Sequence, residues 1–233
     1  MDKTAIRDAA TVVLIRDRDT EPRVLMGQRG AAAAFMPSKF VFPGGAVDAE
    51  DAAISLAQTL NPTCLNRLAD DSDSAILSAL PAAAIREVWE ETGLIIGQPG
   101  LWEPEAPDWQ TYAATGHVPT AADFHFIFRA VTPPGRTRRF DARFFMVDAA
   151  AIQGDPDDFS RASDELSQLQ WISLNRVREF DLPYITGVVL DRVAELLQTP
   201  DIPDCVPYFR NDDEDLHRAA ADQDHAKHFK TLV

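Results

Sequence analysis

Thr11 to Arg16 and Arg23 to Gln28 are short apolar runs rich in β-branched residues, separated by the polar stretch Asp17 to Pro22. They predict a hairpin or two neighbouring strands. A third short strand is expected over Lys39 to Phe42, leading into a glycine-rich turn. Ala49 to Leu60 reads as a helix with Ala52, Ile54, Leu56 and Leu60 on its apolar side, stopped by Asn61-Pro62. Asn61 to Ser74 reads as a polar loop with one helical turn near Leu65 to Leu68, and a further helix is expected from about Leu80 to Thr92. Pro99, Pro104, Pro107 and Pro119 make 97–119 a loop or edge region, in which Trp102, Trp109 and Tyr112 read as anchors. Phe124 to Val131, Arg143 to Val147 and Gln168 to Ile172 read as strands. In Tyr184 to Gln198, Ile185, Val188, Val189, Val193, Leu196 and Leu197 recur at helical spacing, so this helix is assigned to the core. Strands interrupted by helices predict an α/β fold with a mixed sheet between helices.

The helix ending at Thr92 carries the chemistry. Glu87, Glu90 and Glu91 stand at i, i+3 and i+4 and span about 100° of one face. Like charges at this spacing repel by a few tenths of a kcal/mol per pair, on the order of 0.2–0.5. On these three residues alone, a solvated acidic face is the simpler reading. The other reading is a divalent cation among hard oxygen donors. The opposite side, Ile85, Val88, Trp89 and Thr92, is suited to packing on a sheet. Pro81 suits the first turn and Gly93 a left-handed stop.

Upstream, Phe42-Pro43-Gly44-Gly45-Ala46-Val47-Asp48-Ala49-Glu50-Asp51 places two glycines after a proline. Such a turn allows close backbone approach, so a carbonyl can complete a metal site or meet a phosphate. Together the two segments resemble the Nudix hydrolase motif Gx5Ex7REUxEExGU, where U is a bulky aliphatic residue. Gly45 takes the first glycine, and Arg86, Glu87, Val88, Glu90, Glu91, Gly93 and Leu94 fill the C-terminal half. There are two departures. Asp51 stands where the motif has its first Glu, and the spacer Ala52 to Ile85 is 34 residues instead of seven, so about 27 are inserted. The run FPGGxxDxxD is similar to the pattern of the coenzyme A diphosphatase branch of the family. That branch tolerates Asp here, and some members carry a long insert at this place.

The resemblance implies a Nudix-type α/β/α sandwich with a mixed β-sheet, a helical insert at about 52–80, and a C-terminal helix and tail. One Nudix domain is expected over 1–200, with 201–233 an acidic tail or docking arm. His225 and His228 in that tail read as solvated residues in preference to metal ligands. The resemblance also implies a hydrolase that uses Mg²⁺ or Mn²⁺ to cleave the pyrophosphate bond of a nucleoside diphosphate linked to another group. The favoured substrate is coenzyme A or an acyl-CoA. The alternatives are ADP-ribose, NADH or a nucleotide sugar, and, from another class, a non-catalytic ligand sensor on the same fold. A pure binder gains nothing from a repelling carboxylate cluster, which argues against the last.

Charge narrows the partners. Lys and Arg number 22 against 37 Asp and Glu, a net charge of −15. This opposes binding to a nucleic-acid backbone, and it repels a diphosphate unless cations intervene. No apolar run reaches the length of a membrane span, and Asp2, Lys3, Arg7 and Asp8 do not suit a signal peptide. Cys64 and Cys205 are too few for a disulfide framework. A cytoplasmic protein acting on a small nucleotide is therefore expected, without nucleic-acid or membrane partners, and with room for a homodimer.

Roles follow from the chemistry. A phosphoanhydride transition state spreads negative charge over phosphoryl oxygens, so cations should dominate its stabilisation. Glu87, Glu90 and Glu91, with the carbonyl of Gly45 or Gly44, are the candidate metal ligands. Arg86 is expected to pair with Glu90 or Asp51 and orient the carboxylates. Arg136, Arg138, Arg139 and Arg143 form the one basic cluster of the chain, and its guanidinium forks suit phosphate oxygens. A strand-edge solubility role is the competing reading. Glu165, in a loop before the Trp171 strand, is the candidate general base.

Overall fold

A computed structural model describes residues 5–70, 72–199 and 206–210, together with the backbone of 230–232. The strands are β1 (Ile6–Arg16), β2 (Arg23–Arg29), β3 (Phe40–Val41), β4 (Gly44–Ala46), β5 (Ile95–Pro99), β6 (His117–Pro119), β7 (His125–Val131), β8 (Arg139–Asp148), β9 (Ile152–Gln153), β10 (Leu166–Ser173), β11 (Val206–Phe209) and β12 (Lys230–Leu232). The α-helices are α1 (Pro62–Ala69), α2 (Ala79–Thr92), α3 (Gln110–Ala113) and α4 (Tyr184–Leu197). The main sheet runs β10-β2-β1-β8-β7-β11-β12. β1 is parallel to β8 and β11 to β7, while the other pairs are antiparallel, so the sheet is mixed as expected.

Alternation along β1 sorts the two layers. Ala10, Val12 and Leu14 join the core under α2, whereas Val13 and Ile15 join the core under α4. Ile85, Val88 and Trp89 of α2 lie in the first cluster, and Val188, Val189, Val193 and Leu196 of α4 in the second. The arrangement is helix, sheet, helix.

One irregularity positions the site. β1 and β2 pair directly only at Ile15↔Val24 and Arg16↔Arg23. Beyond this they part, and the segment 40–46 wedges between them. β3 pairs with β2 at Gly27↔Val41, and β4 pairs with β1 at Ala10↔Gly45. The Val12 N–H donates to the Pro43 carbonyl at 2.9 Å and closes the wedge. The two glycines are thereby fixed in the sheet, level with Ala10 and Thr11 and beside α2.

Several expectations are corrected. The helix expected over 49–60 is only a 3-10 turn, Ala49–Ala53. The backbone beyond it bonds to a neighbouring segment instead: Ala57 N to the Pro119 carbonyl and Ala121 N to the Gln58 carbonyl, each 2.8 Å. Asn61-Pro62, read as a stop, is a start. Asn61 Oδ1 accepts from Cys64 N at 2.9 Å, and Pro62 opens α1, which replaces the expected polar loop. The insert builds core, since Ile54, Leu60, Cys64 and Leu68 pack in the cluster under α2. The tail expected from residue 201 is not wholly outside the domain. Val206, Tyr208 and Phe209 are buried, and β11 joins the sheet beside β7. The Pro203 and Pro207 punctuation hid that apolar triplet. His225 and His228 lie outside the described residues. Trp109 and Tyr112 are buried edge to face at 5.4 Å, and anchor their loop. Among the described residues no helix is long and apolar enough to cross a membrane.

Candidate active site

α2 ends on Gly93 at φ 74°, whose N–H donates to the Trp89 carbonyl at 2.8 Å. The last two turns before it present Arg86, Glu87, Glu90 and Glu91 to the wedge. Arg86 is 5% exposed and spends all five of its donors. Nε and Nη2 grip Asp51 Oδ1 and Oδ2 at 2.9 and 3.0 Å. Nη2 also reaches the Ala46 carbonyl at 3.0 Å, and Nη1 reaches Glu87 Oε1 at 3.0 Å and Glu90 Oε2 at 3.2 Å. Burial opposes the guanidinium charge, but the Asp51 bonds and then the Glu87 charge more than offset it, so the proton is held above its usual range. Asp51, one methylene shorter than the Glu of the motif, reaches Arg86 with both oxygens.

Two glycines meet two glutamates. The Gly44 N–H donates to Glu91 Oε2 at 2.8 Å. A Cβ on Gly45 would lie 2.5 Å from the carboxyl carbon and both oxygens of Glu87, so only glycine leaves this space. Glu91 is 2% exposed, and burial, then the Glu87 charge, pushes its pKa up to about 8. Burial likewise pushes Glu87 up to about 7, with Arg86 opposing and Glu90 adding to the rise. Burial raises Glu90 as well, against Arg86 and with Asp108.

These are hard oxygen donors carrying more negative charge than Arg86 neutralises, a donor set that fits Mg²⁺ or Mn²⁺. As they stand they do not close on one point. Arg86 turns Glu87 and Glu90 toward itself, and Glu91 turns to Gly44. Among the described residues no three His, Cys, Asp or Glu side chains surround a common centre.

Glu165 is exposed, one residue before β10, and its charge contributes to the raised pKa of both Glu87 and Glu91. The Ser163 N–H donates to the Glu90 carbonyl at 2.9 Å, which ties the Glu165 loop to α2. Arg138 and Arg139 lie at the β7–β8 hairpin, with Arg138 exposed and Arg139 Nε donating to the Thr132 carbonyl at 3.1 Å. Arg143 is corrected. It is 2% exposed, ion-paired to Asp8 and Asp141, and bonded to Ser72 Oγ at 3.3 Å, so its guanidinium is committed to the fold.

Arg29 was missed. It ends β2, pairs in register with Leu166, and its charge opposes the rise at Glu91. Its Nε is buried without a hydrogen-bond partner. The available signal was an arginine closing an apolar strand just before the loop that leads to the glycine turn.

A mixed sheet between helix layers, with a carboxylate helix held against a glycine wedge between two interior strands, defines a class of proteins that gather hard oxygen donors over the face of a sheet. The NUDIX domain model matches residues 78–193. A Caenorhabditis elegans relative named nudix hydrolase 7 is 29% identical over 180 residues, covering 71% of this chain and 51% of the relative. The chain thus spans about half the length of the curated relative it matches. The crystal structure of a NUDIX hydrolase from Alicyclobacillus acidocaldarius superposes with a TM-score of 0.63 at 29% identity, covering 86% of this chain and 99% of that one. Residues 78–193 thus match the NUDIX domain, the fold is that of the Nudix structures, and the chain is similar to Nudix hydrolases.

Proposed function

We propose that this chain hydrolyses the pyrophosphate bond of a nucleoside diphosphate linked to another group, with coenzyme A or an acyl-CoA as substrate and Mg²⁺ or Mn²⁺ as cofactor. The observation that carries this reading is the crowding of Glu87, Glu90, Glu91 and Glu165 about the Gly44–Gly45 wedge, with Arg86 ion-paired to Glu87 and Glu90. Carboxylates held together against burial and mutual repulsion gain their stabilisation from added positive charge. Glu87, Glu90 and Glu91, with the Gly45 carbonyl, would hold the ion, and the ion would supply positive charge to the phosphoryl oxygens. Arg86 acts through the carboxylates that it orients. Arg29, Arg138 and Arg139 bind the substrate phosphates, and Glu165 accepts the proton of the attacking water.

The coenzyme A assignment rests on the FPGGxxDxxD run, Phe42 to Asp51. The test is a panel of CoA, acyl-CoA, ADP-ribose, NADH and dinucleoside polyphosphates, each with Mg²⁺ and with Mn²⁺, followed by product mass. CoA should yield 3′,5′-ADP and 4′-phosphopantetheine. Turnover confined to the other compounds would overturn the substrate. Turnover undiminished in Glu90→Gln would remove Glu90 from the ligand set.

A further inference from the structure

We infer that Gly93 and Arg161 are positioning residues for Glu165. The bare Cα of Gly93 admits the loop 154–165 to the end of α2, and Arg161 holds the loop there against Trp89. This rests on the reading of Glu165 as the general base given above and makes it more specific. The loop has twelve residues and no helix or strand of its own. Loops of this length are uncommon in a compact domain unless they carry function. This one delivers Glu165 beside Glu87 and Glu91, which both feel its charge.

The loop is pinned at both ends. Near its start, Arg16 Nη1 reaches Asp157 Oδ1 and Oδ2 at 2.9 and 3.0 Å, and Trp171 Nε1 donates to the Pro156 carbonyl at 3.0 Å. Phe159 packs on the core under α2. At the far end the Ser163 N–H donates to the Glu90 carbonyl at 2.9 Å. That carbonyl lies in the last turn of α2, where no further helical N–H follows to meet it. Leu166 then pairs in register with Arg29. Only Asp164 and Glu165 lie between these two fixed points. Glu165 therefore keeps its place while Ser163 stays on α2.

The absence of a side chain at Gly93 is what lets Ser163 reach α2. A Cβ there would lie 2.8 Å from Arg161 Cβ, 3.0 Å from the Arg161 carbonyl carbon and 3.1 Å from Ala162 N. Backbone atoms and a Cβ cannot swing aside as a side-chain tip can. The glycine therefore serves twice: its φ of 74° ends the helix, and its bare face receives the loop. Arg161 closes the contact, with its guanidinium 5.9 Å from the centre of the Trp89 ring. Trp89 is a fixed platform, 8% exposed, with Nε1 donating to Thr111 Oγ1 at 3.2 Å and its ring edge-on to Tyr112 at 5.9 Å. Arg161 itself is exposed, so burial does not dictate its place over that ring.

The experiment uses whichever compound of the substrate panel is hydrolysed. kcat and KM are measured for Gly93→Ala, Gly93→Asn, Arg161→Ala, Arg161→Lys and Glu165→Gln, and for each alanine variant combined with Glu165→Gln. Melting temperature checks folding, and hydrogen exchange follows the Ser163 amide. Asparagine takes the left-handed backbone more readily than alanine, yet both add the Cβ. Both should lower kcat on the order of 10- to 100-fold, with KM within about threefold of the unsubstituted chain. Arg161→Ala should lower kcat about three- to tenfold. Arg161→Lys, still a cation on a long stem, should restore most of that loss. Exchange at Ser163 should quicken in both Gly93 variants and in Arg161→Ala. With Glu165→Gln in place, the alanine variants should cost little more, because the group they position is gone. Full kcat in Gly93→Asn beside an impaired Gly93→Ala would make the glycine a helix stop alone and overturn the inference. Losses that add to that of Glu165→Gln, or unaltered Ser163 exchange in Arg161→Ala, would overturn it too. Should the Gly93 variants not fold, the surface variants of Arg161 decide by the same readouts. An unchanged kcat in Glu165→Gln removes the base and the inference together and leaves the hydrolase reading intact. No turnover of any compound by the unsubstituted chain overturns both.

Discussion

Arg86 and Asp51 meet fork to fork, Nε on Oδ1 at 2.9 Å and Nη2 on Oδ2 at 3.0 Å, with side chains 5% and 1% exposed. The pair ties the start of the insert to α2 across 35 residues of chain. Removing one partner of such a pair leaves a buried charge uncompensated. Asp51→Ala should therefore cost about 3–5 kcal/mol in urea unfolding. The double variant Asp51→Ala/Arg86→Met should recover part of that loss, because the orphaned cation is gone as well. Additive losses in the double-mutant cycle would contradict this account of the pair.

Gly45 and Glu87 make a second testable contact. A methyl at Gly45 must displace the Glu87 carboxyl, which would lie 2.5 Å away. Gly45→Ala should lower kcat on the order of 100-fold, the scale of misplacing a reacting group by about an ångström. The overpacking itself should cost only about 1–3 kcal/mol of stability. Normal turnover in this variant would mean that the Glu87 position is not critical.

What could be read in the sequence was what is local. The α2 helix, its stop at Gly93, the glycine turn and the order of carboxylates all lie within short stretches whose periodicity and spacing are visible. What could not be read depends on partners far along the chain. Arg143 looks like a member of a basic cluster until Asp8, 135 residues away, meets it on the adjacent strand. The wedge of 40–46 between β1 and β2 is a choice of neighbours, and alternation alone does not select it. Asn61-Pro62 suits either end of a helix, and tertiary burial of Cys64 and Leu68 decides which. Arg29 matters only once β2 and β10 pair and bring it to Glu165.

The buried glutamates predict a pH dependence. Glu91 at about 8 and Glu87 at about 7 stand well above the 4.5 of an open chain, first through burial and then through neighbouring carboxylates. A carboxyl with a raised pKa binds its proton more tightly in the folded state. Its contribution is full below about pH 4.5 and is lost as pH rises through about 7 to 8. In EDTA the melting temperature should fall across this window. On the proposed reading a divalent ion would bind the deprotonated pair, so the increase in melting temperature on adding Mg²⁺ or Mn²⁺ should be small at acid pH and grow with pH. Scanning fluorimetry from pH 5 to 9 measures both trends. A metal-induced increase that is the same at both ends would contradict them.

Cys64 should be chemically silent in the folded protein. It is 2% exposed in the core under α2, and burial pushes its thiol up to about 11, with the Phe126 N–H bond to Sγ at 3.2 Å opposing the rise. Only the thiolate is a nucleophile, so very little of the reactive form exists at neutral pH. In a Cys205→Ser background, which leaves one thiol, Ellman's reagent should react no faster than the chain opens, with the rate following denaturant concentration. Rapid labelling in native buffer would contradict the packing of α1 on the sheet. Cys64→Ala removes the acceptor and leaves the Phe126 N–H buried and unpaired, a loss of about 1–3 kcal/mol. The hydrogen bonds of Cys64 go to Asn61 and Phe126 and not to the candidate site residues, so that variant should keep its kcat at temperatures where it stays folded.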